Sequence, residues 1–384
     1  MVALWLSAVT APRPIVPDYR GANLVNVVPG LLRAPGERPS WFPAPLAHAR
    51  QVLLLVADGL GWLQLHERAH LAPVLSGMPG GPITTVAPST TATALTSITV
   101  GAAPAVHGVV GFRVVVEGPA GPEVLNVLRW RTPSGDARPF VDPLEFQPLE
   151  AFGGRPVPVV SKAEFAGTGF SDAHQRGALL ASWVVTSSLP VEARRLLAGG
   201  EPLVYAYYEG IDKVAHVHGF GAHYDAELAA LDRLVGDLLD VLPPGAALAV
   251  TADHGQVEVG PRARTLDERV AALTAMTSGE ARFRWLHADG GGPAAVERLA
   301  AAAEEVYGQE AWVATVGAVE EQGWFGGRLD DRVRGRLGDV ALVPHEPVGY
   351  LDARDPSERI LACRHGSLTP EEMLVPFVAR SLVL

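Results

Sequence analysis

Six side chains able to ligate a metal stand just beyond apolar runs of this sequence. Asp58 follows QVLLLVA (Gln51–Ala57), and Asp212 and His216 follow LVYAY (Leu203–Tyr207). Asp253 and His254 follow AALAVT (Ala246–Thr251), and His365 follows the short run Ile360–Cys363. In open parallel sheets, ligands collect at the carboxyl ends of strands, where the loops converge. Three carboxylates and three imidazoles placed there suit two divalent ions, with zinc favoured by the mixed donors and manganese or iron next. A hydroxyl-rich stretch lies nearby in the sequence. Ser89, Thr90, Thr91 and Thr93 open a helical pattern carried by Leu95, Ile98 and Ala102, which Gly101 and Pro104 close. A hydroxyl at a helix N-terminus lies beside free N–H groups and the positive end of the dipole, a place that holds phosphate and lowers the cost of an alkoxide.

Each residue also has a plainer reading. The threonines could be helix caps, Asp58 before Gly59 could be turn chemistry, and Asp212 could cap the helix leading to His216. His254 and His365 each precede glycine and could be polar turn residues. Singly none of the six exceeds its plain reading; together, each just past an apolar strand, they do. His218 lies too close to His216 to share its helix face and is expected outside the ligand set. His107 is expected to pack and hydrogen-bond at a turn.

The elements that must position these groups read as a doubly wound α/β fold with a mostly parallel central sheet. The continuous apolar runs suit strands buried on both faces, and VPVVS (Val157–Ser161) is another. Helical patterns at Pro190–Ala198 and Tyr224–Leu242 alternate with them. Two stretches depart from that rhythm. Residues Val114 to Ala151 are rich in Gly and Pro and hairpin-like. Residues 279–342 read as strand (Ala281–His287), helix (Pro293–Val306), strand (Trp312–Val316) and a further strand, a small α+β cap inserted into a core of 1–278 plus 343–384.

With 384 residues, 48% hydrophobic and 19% charged, the chain is an ordinary globular one. A net charge of -11 argues against a broad basic face for nucleic acid and leaves room for a local cationic pocket. Cys363 is the single cysteine, so neither an internal disulfide nor a thiolate zinc site can form. The opening MVALWLSAVTAPRP has no basic residue before its apolar run and is a poor signal peptide, and no segment reaches membrane length; the expectation is a soluble, cytoplasmic protein.

The ordered motifs resemble the alkaline phosphatase superfamily, and most closely its nucleotide pyrophosphatase/phosphodiesterase branch. Asp58-Gly59 is similar to the branch's first metal-binding Asp. Pro88, Thr91, Gly101 and Pro104-Ala105-Val106-His107-Gly108 match the spacing of its nucleophile helix. Asp212 with His216, Asp253-His254-Gly255 and His365-Gly366 match its remaining ligand motifs. The resemblance spans about residues 51 to 378 and leaves the cap and N-terminus uncovered. It implies one metal on Asp212, His216 and His365 and another on Asp58, Asp253, His254 and Thr91. Thr91 would attack phosphorus and form a phospho- or nucleotidyl-threonine, which water then hydrolyses. The substrate implied is a small phosphate ester, possibly a nucleotide. Thr90, one position away, is expected to touch substrate, and a shift of one residue would make it the nucleophile. The branch usually has asparagine three residues past the nucleophile; here Ala94 stands there, so Lys162 is expected to supply positive charge, its alternative being a surface lysine.

Other activities fit less well. A sulfatase would need Cys-x-Pro-x-Arg, a serine esterase Gly-x-Ser-x-Gly, and a dinucleotide enzyme a complete Gly-x-Gly-x-x-Gly after a strand; none occurs. Phosphomonoesterase, phosphonate hydrolase and phosphosugar mutase chemistry share the metal set and stay open. A metal-stabilised binding protein is the non-enzymatic alternative.

Overall fold

The apolar run Gln51–Ala57 forms strand β1, buried from Val52 onward. Gly80–Thr84 (β2), Pro158–Lys162 (β3), Leu179–Trp183 (β4), Leu203–Tyr208 (β5), Ala246–Thr251 (β6) and Leu374–Ser381 (β7) join it in a seven-stranded sheet of order β2-β7-β6-β1-β5-β3-β4. The computed structural model describes residues 12–353 and 361–382. The N-terminal apolar run up to residue 11 and the start of the Ile360–Cys363 run lie outside them. Strands β6, β1, β5, β3 and β4 are mutually parallel, and β7 runs antiparallel to both β6 and β2. The sequence shows a strand-like segment from Ile83 up to Pro88, which overlaps β2 at its carboxyl end; β4 and β7 have no such local signal. Helices cover both faces, as a sheet whose central strands are buried throughout requires.

The hydroxyl-rich stretch folds as expected into helix α1 (Thr91–Val100), with Thr90 extended at its N-cap. Gly101 ends α1 at φ 65°, and a Cβ there would lie 2.4 Å from the Pro29 ring, so both conformation and space demand glycine. Gly210–His218 (α2) and Ala222–Asp240 (α3) follow β5. Arg113–Gly118 and Gly121–Asn126 pair as a hairpin within the Gly/Pro-rich excursion.

A second, four-stranded antiparallel sheet is built from Thr274–Glu280, Phe283–Ala288, Val340–Pro344 and Ala311–Thr315, in that spatial order. It therefore begins at Thr274, ahead of Gly279, and ends past Leu342. Its alternation decides what each face does. Phe283, Trp285, Ala341 and Val343 join the main core, whereas Leu286, Val340 and Leu342 pack with Leu299, Ala303 and Tyr307 of the helix Gly292–Tyr307. Arg282, fully buried, reaches from this sheet to Glu372 with hydrogen bonds of 2.7 and 2.8 Å. Glu372 also accepts from the Ser367 N–H and the Thr369 hydroxyl. The small sheet thus holds the loop that carries His365.

Candidate active site

The parallel strands deliver their carboxyl ends to one rim. Asp58 leaves β1 with its N–H on the Tyr208 carbonyl, and the Asp58 carbonyl accepts from the Asp212 N–H at 3.0 Å. That close approach depends on Gly59, at φ 76°, where a Cβ would meet the Asp212 Cα at 2.9 Å. Asp253 and His254 follow β6. His365 arrives from the loop before β7, and a bridge between Ser89 and Gly366 laces that loop to the start of α1.

Two clusters result. The ligand atoms of Asp58, Asp253 and His254 all lie within 4.8 Å of one another, as do those of Asp212, His216 and His365. The clusters adjoin, since the His254 and His365 rings stack with centroids 3.6 Å apart. All six residues are thus brought together. The Thr91 Oγ1 lies 3.1 Å from His254 Nε2 at the first turn of α1. Thr90 is more deeply buried than Thr91 and lines a cavity of about 250 Å³ together with Thr91, Asp212 and His365.

Backbone carbonyls set the tautomer of every clustered histidine. The Nδ1 atoms of His216, His254 and His365 bond to the carbonyls of Cys363, Gly255 and Ser89 at 2.8, 3.0 and 2.9 Å. A carbonyl only accepts, so Nδ1 carries the proton and each Nε2 presents a lone pair. His254 Nε2 then faces Asp58 Oδ1 at 3.5 Å and Asp253 Oδ2 at 3.4 Å. Those two oxygens are buried and accept no hydrogen bond among the described residues. Their sister oxygens are satisfied. Tyr207 donates to Asp58 Oδ2, and Asp253 Oδ1 accepts from the N–H groups of Gly59 and His254 at 3.0 Å each. In the other cluster Asp212 Oδ1 lies 3.2 Å from His216 Nε2 and accepts from the Gln256 amide at 2.9 Å.

Acceptors that converge in two groups, fully buried around Asp58 and partly buried around Asp212, with the Thr91 hydroxyl beside the first and the Gln256 amide beside the second, make donor sets that fit divalent cations. The electrostatics agree. Burial, then the neighbouring Asp253 and Asp212 charges, push the Asp58 carboxyl well above its ordinary range. Burial, then the neighbouring His254 and His216, hold His365 well below the usual imidazole value. A positive charge at the centre would reverse the first of these pressures and use the neutral ring that the second preserves.

Lys162 is not brought to this centre. Its ammonium pairs with the buried Glu209 carboxylate, with Glu164 3.7 Å away, and lies over the Trp183 ring at 5.5 Å. Its charge is thus answered by acids of its own neighbourhood, and Lys162 lines neither cavity beside Thr91. The second of these, about 240 Å³, is walled by Ser161, Phe165, Phe170, Tyr207 and Lys213. Ala94 is buried inside α1 and has no polar group to offer. His107 packs at a turn as expected, bonded to Ser97 and Val109, and His218 is exposed, stacked on His223. Sequence reasoning missed Tyr207, Gln256 and the lacing role of Ser89. Gln256, two positions past His254, was adjacent to a recognised motif, whereas nothing local marked Tyr207.

A family model described as type I phosphodiesterase / nucleotide pyrophosphatase matches residues 52–173 and 158–367. No curated protein sequence matches. Among solved structures, human ectonucleotide pyrophosphatase / phosphodiesterase 5 superposes with a TM-score of 0.63 at 15% identity, over 86% of this chain and 88% of that one. An inactive variant of the murine protein in complex with AMP gives 0.61 at 15%, with the same coverage. Phosphonoacetate hydrolase from Sinorhizobium meliloti 1021, in complex with phosphonoformate, gives 0.60 at 18%, over 87% of this chain and 91% of that one. At these identities the likeness establishes the fold, an α/β architecture with a central, mostly parallel sheet. Among the described residues no helix is long and apolar enough to cross a membrane.

Proposed function

Because the chain belongs to the type I phosphodiesterase / nucleotide pyrophosphatase family, a family of hydrolytic enzymes, we propose that it is a metal-dependent phosphodiesterase or nucleotide pyrophosphatase with Thr91 as its nucleophile. The observation that carries this reading is the Thr91 hydroxyl, 3.1 Å from His254 Nε2, at a helix N-terminus beside two adjoining ligand clusters. Asp58, Asp253 and His254 would hold one ion and Asp212, His216 and His365 the other, zinc being the first candidate for each. When bound, such ions lower the pKa of a hydroxyl or water and neutralise charge on phosphoryl oxygens.

The chain's own residues supply the rest. The N-terminus of α1 faces the reacting group with its positive dipole end. The Thr91 Oγ1 forms a bond to phosphorus while the ester oxygen on the far side departs. Water then attacks the phosphothreonine, the phosphorus–Oγ1 bond breaks, and the Thr91 hydroxyl regains its proton. Asp58, held by Tyr207, and the three carbonyl-anchored histidines keep the geometry fixed through both displacements. Thr90 lines the cavity where a substrate group would sit.

The test is hydrolysis of bis-p-nitrophenyl phosphate beside the monoester p-nitrophenyl phosphate and an aryl phosphonate. Diester turnover should dominate, chelation should abolish it, and Thr91→Ala should remove it with metal content near normal. Loss in Thr90→Ala instead would move the nucleophile by one residue. Turnover unchanged in a metal-free preparation would end the reading, and dominant monoester or phosphonate turnover would reassign the substrate.

A further inference from the structure

A cavity of about 610 Å³ opens at the amino ends of β1, β3 and β5, the end of the sheet opposite Thr91. Arg33, Arg38, Arg50 and Arg155 line it, and Glu201 is the one carboxylate among its lining residues. The remaining wall is mostly apolar, with Leu31, Pro202 and Leu203. This concentration of positive charge runs against the composition of the chain, which carries 42 acidic and 31 basic residues. Arginine stays charged at any physiological pH, and its planar fork matches two oxygens of a phosphate group.

The four guanidinium groups carry more positive charge than the cavity's single carboxylate answers. None makes an ion pair among the described residues. Arg38 donates to the Leu46 carbonyl, and Arg155 donates to the Leu32 carbonyl at 3.3 Å. The Arg38 Nε is buried with no hydrogen-bond partner. Arg38 is half-buried and the other three are exposed; with the single Glu201 carboxylate facing four guanidinium groups, an anion from solution would balance the charge, above all for the partly desolvated Arg38. Arg33 and Arg155 also line a neighbouring hollow of about 320 Å³ with Thr99, Val100 and Gly101; that is the carboxyl, negative end of α1, so the anion is expected on the strand side of these arginines. At about 610 Å³ the arginine-lined cavity alone is larger than a single inorganic phosphate needs.

We propose that this arginine-lined cavity is a second ligand site, for a small soluble polyanion carrying at least two phosphate groups. It is separate from the catalytic rim. Strand β1, Gln51–Ala57, stands between the two ends, and seven residues at roughly 3.3 Å each put them ~20 Å apart. Concavity favours a compact ligand over a membrane or a nucleic-acid duplex, each of which needs a broad surface.

Calorimetric titration of the purified full chain with inorganic tripolyphosphate tests the site. One saturable site is expected that persists in Asp58→Asn, where the catalytic rim cannot contribute, weakening severalfold or more between 50 and 200 mM salt, as charge-dominated binding does. Arg33→Gln/Arg50→Gln should weaken it at least tenfold with unchanged melting temperature, since neither side chain makes a hydrogen bond among the described residues. Asp58→Asn, which disrupts the catalytic rim, should leave it intact. Absence of saturable binding, or loss in Asp58→Asn with retention in the arginine variant, would overturn the proposal. Sedimentation with phosphatidylglycerol vesicles through the same arginines, without tripolyphosphate binding, would assign the surface to a membrane and overturn it too.

Discussion

Mild acid should destabilise the fold through His107, a fully buried ring at the far end of the helix that carries Thr91. Its Nδ1 accepts from the Val109 N–H at 3.0 Å, so its proton sits on Nε2 and is donated to Ser97 Oγ at 2.8 Å. A second proton would have to enter at Nδ1, against an N–H already pointing there. Burial first, then the Arg336 and Arg332 charges, push this imidazole down to about 3. An unfolded chain has it near 6.5. The folded value is depressed, so the contribution is complete above about pH 6.5 and is lost as pH falls toward the folded value. At pH 4.5, about two units below the unfolded value, the loss is ~2.7 kcal/mol at 1.36 kcal/mol per unit. The assay is urea unfolding of wild type and His107→Gln at pH 7.5 and 4.5. Glutamine keeps a donor and an acceptor but cannot take the proton, so the stability gap between the two proteins should narrow by about that amount in acid. A gap equal at both pH values would refute the account of the buried neutral ring.

Tyr207→Phe removes the donor on Asp58 Oδ2. Metal affinity should fall by ~10–100-fold, as it does when such outer partners are lost, measured by competition with a chromophoric chelator; unchanged affinity would mean that the carboxylate is oriented by other contacts. Arg282→Met strands Glu372 without its counter-charge and should cost ~3–5 kcal/mol in urea unfolding. Adding Glu372→Gln should return part of that loss, and a single-variant cost below about 1 kcal/mol would show that the pair does not hold the His365 loop.

The parts of the fold visible in the sequence were those fixed by local pattern. Strands β1, β5 and β6 are runs so uniformly apolar that only a doubly covered sheet could take them. Helix α1 was bracketed by hydroxyls and by Gly101, and it spans Thr91–Val100. The six clustered acids and histidines were visible because each follows such a run. What stayed hidden depends on partners distant in the chain. Strand β7 carries Pro376 inside it and gains its place only by pairing with β6 and β2. Thr274–Glu280 mixes Thr, Ser and Gly and becomes a strand through its ladder with Phe283–Ala288. Tyr207 reaches Asp58 because the β1–β5 register sets Ala57 beside Tyr208, which no local motif encodes. Lys162 drew attention as a lone cation, and the acid that answers it, Glu209, enters from another strand's end.

Strand β7 has one further effect. Among the described residues it alone links β2 to β6 in the sheet, and His365 lies just ahead of it in the chain. A partly unravelled molecule with β7 detached would have β2 parted from the sheet and the His365 loop without its anchor. Closure of the sheet and completion of the six-residue cluster are thus one event, because the strand that joins β2 to β6 is the one the His365 loop leads into.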